Sequence, residues 1–339
     1  MQQAEVDVSV LMLFHARPDN FAQVWAEVKK ARPARLFLYQ DGPREGKNDM
    51  PGILACRELV SDENIDWQCE VHRNYQTKNY GCDPSEYLSQ RWAFSLTDKC
   101  IVLEDDDVPS QSFFRFCKEM LDRYEHDERV TMISGFNTDE QSSCNGDYFF
   151  TRMFSIWGWA SWARVVNNWD GDYGFVRNPE KYAMLCDKVK QYHQRSDMPD
   201  FVRQHAASGV QYYESIFWAY MLMNDGLAIV PRVNMISNIG MNSGTHYSTQ
   251  LELMPKRMRR MFTMQRHDME FPLAHPAEVK EDYGYQKRAY LQRAWNNPWR
   301  KVQYSIEELW LNLRHGNVRQ IVHAAWNRVG IIVRGKRHA

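Results

Sequence analysis

The sequence predicts an α/β fold, a mostly parallel sheet flanked by helices. Three observations carry that expectation. Short apolar runs rich in β-branched residues alternate with helix-period segments over about 135 residues. The central runs are apolar throughout, as strands covered on both faces must be. Polar clusters stand where these runs end, and sheets of this kind bind ligands at the carboxyl ends of their strands.

The elements follow in order. Residues 8–14 predict a buried strand that runs into His15-Ala16-Arg17-Pro18-Asp19. Asp19 is placed to cap a helix whose apolar face is Phe21, Val24, Trp25 and Val28. Residues 35–40 predict a second strand, stopped by the turn Asp41-Gly42-Pro43. A helix over 49–62, a third strand over 67–73 and a helix over 85–96 come next. Residues 100–103 predict a fourth strand, short and wholly apolar. Phe113, Phe114, Phe116, Cys117, Met120, Leu121 and Tyr124 keep helical spacing, and 130–136 predict a fifth strand.

After residue 137 the rhythm breaks. Aromatic stretches around Tyr148 and Trp157-Gly158-Trp159 precede a helix near 210–223, a strand over 227–230 and a loop over 238–246 rich in Asn, Gly and Ser. The expected division is a donor-binding α/β half over 1–140, an acceptor and lid half of the same domain over 141–283, and a basic helical extension over 284–339.

Composition narrows the classes. Of 339 residues, 44% are apolar and 25% charged, which excludes a mainly disordered chain. No apolar run approaches the length of a membrane span. The N-terminus has no basic-then-apolar signal pattern, and the seven cysteines include no CxxC pair. Reduced thiols and a cytoplasmic location are therefore expected. The net charge of −1 hides an asymmetry: residues 284–339 carry +9 and residues 1–283 carry −10. Trp299, Trp310 and Trp326 lie among the basic residues of this extension. Two readings stay open for it: a helix packed on the body, or a peripheral contact with anionic membrane on the inner face of the cytoplasmic membrane. Charge without a recognition motif does not point to nucleic acid.

The stretch Ile101-Val102-Leu103-Glu104-Asp105-Asp106-Asp107-Val108-Pro109 is the most informative. Four successive carboxylates repel one another and raise each other's pKa unless a cation or donor is present. Oxygen-rich clusters suit Mg²⁺ or Mn²⁺. The competing reading is an acidic cap for the following helix.

The chain also resembles the GT-A-fold, nucleotide-sugar-dependent glycosyltransferases, in particular a bacterial family related to N-acetylglucosaminyltransferase I. The resemblance runs in order over about residues 8–280: Arg17-Pro18-Asp19, Gln40-Asp41-Gly42, Asn79-Tyr80-Gly81-Cys82, the 101–107 stretch, Trp157-Gly158-Trp159, Asn224-Asp225-Gly226, Val230-Pro231-Arg232, Ser237-Asn238-Ile239-Gly240 and Phe271-Pro272-Leu273. It implies a GT-A (Rossmann-like) sheet and a divalent metal held by Asp106, with Glu104 and Asp105 touching ribose, sugar or metal-bound water. It implies that Arg17 lies near the donor phosphate, that Asp41 accepts from a pyrimidine base (UDP-sugar foremost) and that His15 lines the nucleotide pocket. His246 would complete the metal shell. Asp83 departs from the pattern, which has a basic residue there, so an acid would face the sugar or base. Glu214 is the expected general base; Asp170, Asp139 and Glu140 are the alternatives. Trp157, Gly158, Trp159 and Tyr213 would meet the acceptor sugar.

The expected activity is inverting sugar transfer to a glycan or lipid-linked acceptor in bacterial surface polysaccharide or lipopolysaccharide synthesis. Three other classes compete. A nucleotidyltransferase would need a glycine-rich loop after strand one, which His15-Ala16-Arg17-Pro18 lacks. A metal-dependent glycan hydrolase leaves Arg17 and Asp41 unexplained. A non-catalytic glycan-binding relative would have no need of Glu104-Asp105-Asp106.

Overall fold

The computed structural model describes residues 2–242 and 251–317. The chain divides into two units. The first, residues 1–240 with 264–289, is built on an eight-stranded sheet. Its strands are β1 (Val6–Phe14), β2 (Pro33–Gln40), β3 (Glu70–Tyr75), β4 (Lys99–Glu104), β6 (Val130–Ser134), β7 (Tyr148–Thr151), β8 (Trp159–Trp162) and β9 (Leu227–Pro231). β5 (Asp107–Pro109) and β10 (Ile236–Asn238) form a separate antiparallel ribbon.

The strand order is β3-β2-β1-β4-β8-β6-β9-β7. β1 pairs in parallel with β2 and β4, β2 with β3, and β6 with β9. β8 runs against β4 and β6, and β7 against β9. The parallel 3-2-1-4 half agrees with the Rossmann-like sheet that the resemblance implies. Helices α1 (Pro18–Ala31), α2 (Met50–Leu59), α3 (Cys82–Phe94) and α4 (Gln111–Arg123) connect these strands. The second half adds the short α5 (Ala163–Val166) and α6 (Gly174–Arg177), then α7 (Pro179–Gln191), α8 (Met198–Ser208) and α9 (Tyr213–Met223).

Burial explains the strands. Val10, Leu11, Met12, Leu36, Phe37, Leu38, Ile101 and Leu103 are fully buried between the helical layers. Phe113, Phe116, Cys117 and Met120 form the inward stripe of α4. Local starts differ from expectation in two places. α1 begins at Pro18, whose fixed φ suits a first helical position, so Asp19 sits inside the first turn and does not cap it. β3 begins at Glu70, because Trp67 turns inward beside Trp25 and donates its indole N–H to Pro33 O at 2.8 Å.

The second unit holds residues 241–263 and 290–339. Among its described residues are α10 (Lys256–Thr263), the end of α11 (Tyr283–Arg293) and α12 (Pro298–Arg314). Asn297 caps α12 by accepting from the Arg300 amide at 2.9 Å. Trp299, Val302, Ile306, Leu309, Trp310 and Leu313 on α12 are all exposed. At 100° per residue they form one apolar stripe about 100° wide. The tail positions beyond residue 317, including Trp326, lie outside the described residues. Among the described residues no helix is long and apolar enough to cross a membrane.

Gly158, just before β8, ties the sheet to the ribbon. Its φ is +58°, and a Cβ there would stand 2.4 Å from Ile236 Cδ1. Gly158→Ala is expected to destabilise the fold by about 1–3 kcal/mol, seen as a lower denaturant midpoint; an unchanged midpoint would contradict this packing.

Candidate active site

Register brings three polar clusters together. Phe14 pairs with Gln40, and Leu13 pairs with Glu104. The residues that follow, His15, Asp41 and Asp105, therefore leave neighbouring strands at one edge of the sheet. The β5–β10 ribbon then sets Asn238 opposite Asp107.

Each carboxylate has its own surroundings. Arg17 donates from Nε to Asp105 Oδ2 at 3.1 Å and from Nη2 to Asp105 Oδ1. Its Nη1 reaches Asp106 Oδ2 at 3.0 Å. Burial works against the guanidinium charge, but Asp105 and Asp106 raise its pKa above the usual range. Asp106 also accepts from Asn238 Nδ2 at 3.2 Å. Asp107 is fully buried and accepts from the Gly158 amide at 2.9 Å and from Asn238 Nδ2 at 3.1 Å. The helix-capping alternative is not realised: the α4 cap position is Ser110, with no side-chain capping bond.

Charge at this edge is under-compensated. Burial pushes Glu104 well above the carboxylate range, and Glu86, Asp107, Asp106 and Asp105 push it further. Burial and Asp106 do the same to Asp107. Burial also raises Asp105, against the pull of Arg17. Among the described residues, Arg17 is the basic side chain that forms ion pairs with this run.

The donor set suits a hard divalent ion, being oxygen-only and short of positive charge. The chain also passes close over Asp106: a Cβ on Gly240 would lie 2.2 Å from Asp106 Oδ2. Only a glycine can pass that close to the carboxylate. The residues therefore fit a metal at Asp106.

The other expected residues fall as follows. His15 Nε2 donates to Gly42 O at 3.0 Å, and its amide donates to Asp105 Oδ2 at 3.5 Å. Asp41 is buried and accepts from the amides of Gly42, Tyr80 and Gly81 and from Asn79 Nδ2. Its oxygens thus hold the 79–81 loop. Asp83, Glu86 and Glu214 lie together, and the charge of Glu86 acts on Glu104. Trp157 is half-buried, edge-on to Phe136 at 4.8 Å. Trp159 and Tyr213 are a correction to expectation: both are buried, their rings covered by each other, Trp169 and Phe217. Neither offers a ring face to a sugar. Gly158 likewise packs on Ile236 and serves Asp107. His246 lies outside the described residues.

The alternative bases are engaged elsewhere. Asp139 pairs with Arg288 at 2.8 Å, Glu140 lies 3.5 Å from His267, and Asp170 accepts from the Phe175 amide at 3.1 Å. Sequence reasoning missed Glu86 and Asn238. Glu86 stands three residues after Asp83 on a helix, and that spacing was the available signal. Asn238 depends on the ribbon pairing, which no local pattern announces.

The sequence matches no family model and no curated protein. Solved structures give remote likenesses. Mouse xyloside xylosyltransferase 1 in its apo form aligns with 64% of this chain and 81% of its own, at 11% identity and a TM-score of 0.34. UDP-glucose pyrophosphorylase complexed with UDP-glucose aligns over 68% and 91%, at 8% identity and a TM-score of 0.34. The glycosyltransferase GlyE of Streptococcus pneumoniae TIGR4 aligns over 67% and 55%, at 10% identity and a TM-score of 0.29. Likenesses this remote fix neither activity nor substrate, so the functional reading rests on the residues themselves.

The electrostatics give a direct test. A carboxyl whose folded pKa is raised favours the fold below its unfolded pKa, and that contribution is lost as pH rises through the folded value. Glu104→Gln is therefore expected to raise the metal-free melting temperature at pH 8 and to do so less at pH 5. Each unit of displacement relieved corresponds to about 1.4 kcal/mol. A variant less stable at pH 8 than the parent would contradict the charge account.

Proposed function

We propose that this chain is a metal-dependent glycosyltransferase that moves a sugar from a nucleoside-diphosphate donor, foremost a UDP-sugar, to a glycan or lipid-linked acceptor. We propose inversion at the anomeric carbon and a role in bacterial surface polysaccharide or lipopolysaccharide synthesis. The observation that carries the reading is the run Glu104–Asp107 at the ligand-binding edge of the sheet, with Arg17 as its paired cation. The ordered resemblance over residues 8–280 supplies the reaction class.

Asp106 would hold a Mn²⁺ or Mg²⁺ ion, with Glu104 and Asp105 beside it. When bound, such an ion neutralises diphosphate charge and makes the nucleoside diphosphate a better leaving group. Arg17 neutralises Asp105 and Asp106 in this structure and is the side chain that would share the diphosphate charge. His15 and the loop held by Asp41 would line the nucleotide. Glu214, in the first turn of α9, would take the proton of the acceptor hydroxyl. That hydroxyl oxygen bonds to the anomeric carbon as the bond to the diphosphate oxygen breaks. Trp157 remains the aromatic side chain open to an acceptor sugar, and His246 the proposed late metal ligand. The 1–140, 141–283 and 284–339 division is kept as a functional proposal.

For a lipid-linked acceptor, the exposed α12 stripe would lie on an anionic membrane surface. The +9 charge of residues 284–339 complements such a surface.

Two experiments test the reading. Asp106→Ala is expected to abolish metal-dependent binding of the nucleotide in calorimetry, and unchanged affinity with Mn²⁺ present would refute the metal assignment. Glu214→Gln is expected to bind donor normally and lose about 10²- to 10⁴-fold in turnover; a near-parental rate would move the base elsewhere. For the membrane contact, the full chain should sediment with vesicles containing phosphatidylglycerol, and Trp299→Glu/Trp310→Glu should not. Equal sedimentation of both would exclude the α12 stripe as the contact.

A further inference from the structure

Helix α3 carries Asp83 and Glu86 three residues apart, on one face. α9 opposes them with Glu214 in its first turn. One ligand oxygen from each residue lies within 4.8 Å of the other two. Oxygens on opposite sides of an ion with calcium-like bonds lie about 4.6–5.2 Å apart, so the three fit one coordination shell.

Two further observations point to a ligand. Glu86 is 6% exposed; its Oε1 takes the Cys82 thiol hydrogen at 3.2 Å, and its Oε2 is buried without a hydrogen-bond partner. Tyr213, fully buried on α9, also has a hydroxyl without a partner. The charged groups acting on that hydroxyl are Glu104, Glu86, Glu214 and Asp107. Buried polar atoms left unpaired in this way destabilise the fold unless something bonds them. The groups acting most strongly on Glu86, after burial, are Glu214, Cys82, Asp83 and Asp106, and none is basic. Its pKa is pushed well up in consequence. Asp106, by contrast, is drawn away by Arg17 and Asn238.

We propose that Asp83, Glu86 and Glu214 form a divalent-cation site of their own, separate from Asp106. The ion supplies positive charge beside Glu86 and satisfies Glu86 Oε2. The Tyr213 hydroxyl bonds to its water shell. This site goes beyond the transferase reading and does not need it. Where Glu214 serves as the proposed base, an ion on it holds that carboxylate out of catalysis, and this consequence alone rests on the transferase reading.

The test is Mn²⁺ binding to the full chain at pH 8, followed by electron paramagnetic resonance of the free ion. Asp106→Asn isolates the site and is expected to bind one Mn²⁺ per chain. Adding Glu86→Gln should weaken that binding at least about tenfold, and adding Asp83→Asn should do the same. The proposal is overturned if Asp106→Asn/Glu86→Gln binds Mn²⁺ as tightly as Asp106→Asn alone. It is equally overturned if Asp106→Asn binds none while its circular dichroism is that of the folded parent. Should Glu86→Gln melt out, the Asp83→Asn arm decides alone. Absence of sugar transfer by the parent, with this Mn²⁺ pattern intact, would remove the transferase reading and leave the site standing.

Discussion

Like charge confined at the end of one strand is the constraint on which the rest of this site depends. Glu104 ends β4 half-buried, and Asp105, Asp106 and Asp107 follow it, all three buried. Ionised carboxylates are costly in such a place unless donors or cations meet them. The chain meets part of the demand itself: Arg17 spans Asp105 and Asp106, Asn238 bridges Asp106 and Asp107, and the Gly158 amide serves Asp107. Glu104, Asp105, Asp107 and Glu86 still have raised pKa values, the mark of a demand only partly met.

The architecture explains why these groups converge. Parallel pairing of β1 with β2 and β4 carries His15, Asp41 and Asp105 to one edge. The antiparallel insertion of β8 beside β4 brings Gly158 to the same edge, and β10 returns Asn238 and Gly240 over Asp106. α3 and α9 close the other side with acids rather than bases. Where the family resemblance puts a positive side chain at position 83, this chain has a carboxylate, and the structure surrounds it with two more. One acidic grouping lies beside Arg17 and the other includes Glu214.

Much of the sheet was legible in the sequence because apolar runs buried on both faces leave little choice of element. The strands at 8–14, 35–40 and 100–103 and the α4 stripe come from burial alone, so periodicity reads them. Trp67 escaped this reading: an apolar aromatic at a strand start is indistinguishable from one that turns inward to a helix. The carboxylate run was legible as a candidate site because no local need explains four acids there. Trp159 and Tyr213 were not, since an aromatic ring stacks on a sugar and on another ring by the same forces. Only the packing of Trp169 and Phe217 over them decides the matter. Glu86 and Asn238 were obscured because their significance depends on partners about 130 residues away in sequence.

The account's central claim is that the edge at Glu104–Asp107 binds a diphosphate through a cation. The most direct measurement is the melting temperature of the unmodified chain with UDP, other nucleoside diphosphates and their sugars, each with and without Mn²⁺. A ligand that binds only the native state raises that temperature. The account predicts a rise with a nucleoside diphosphate or its sugar that requires Mn²⁺. An equal rise without metal, or no rise with any nucleotide in a folded sample, would contradict it.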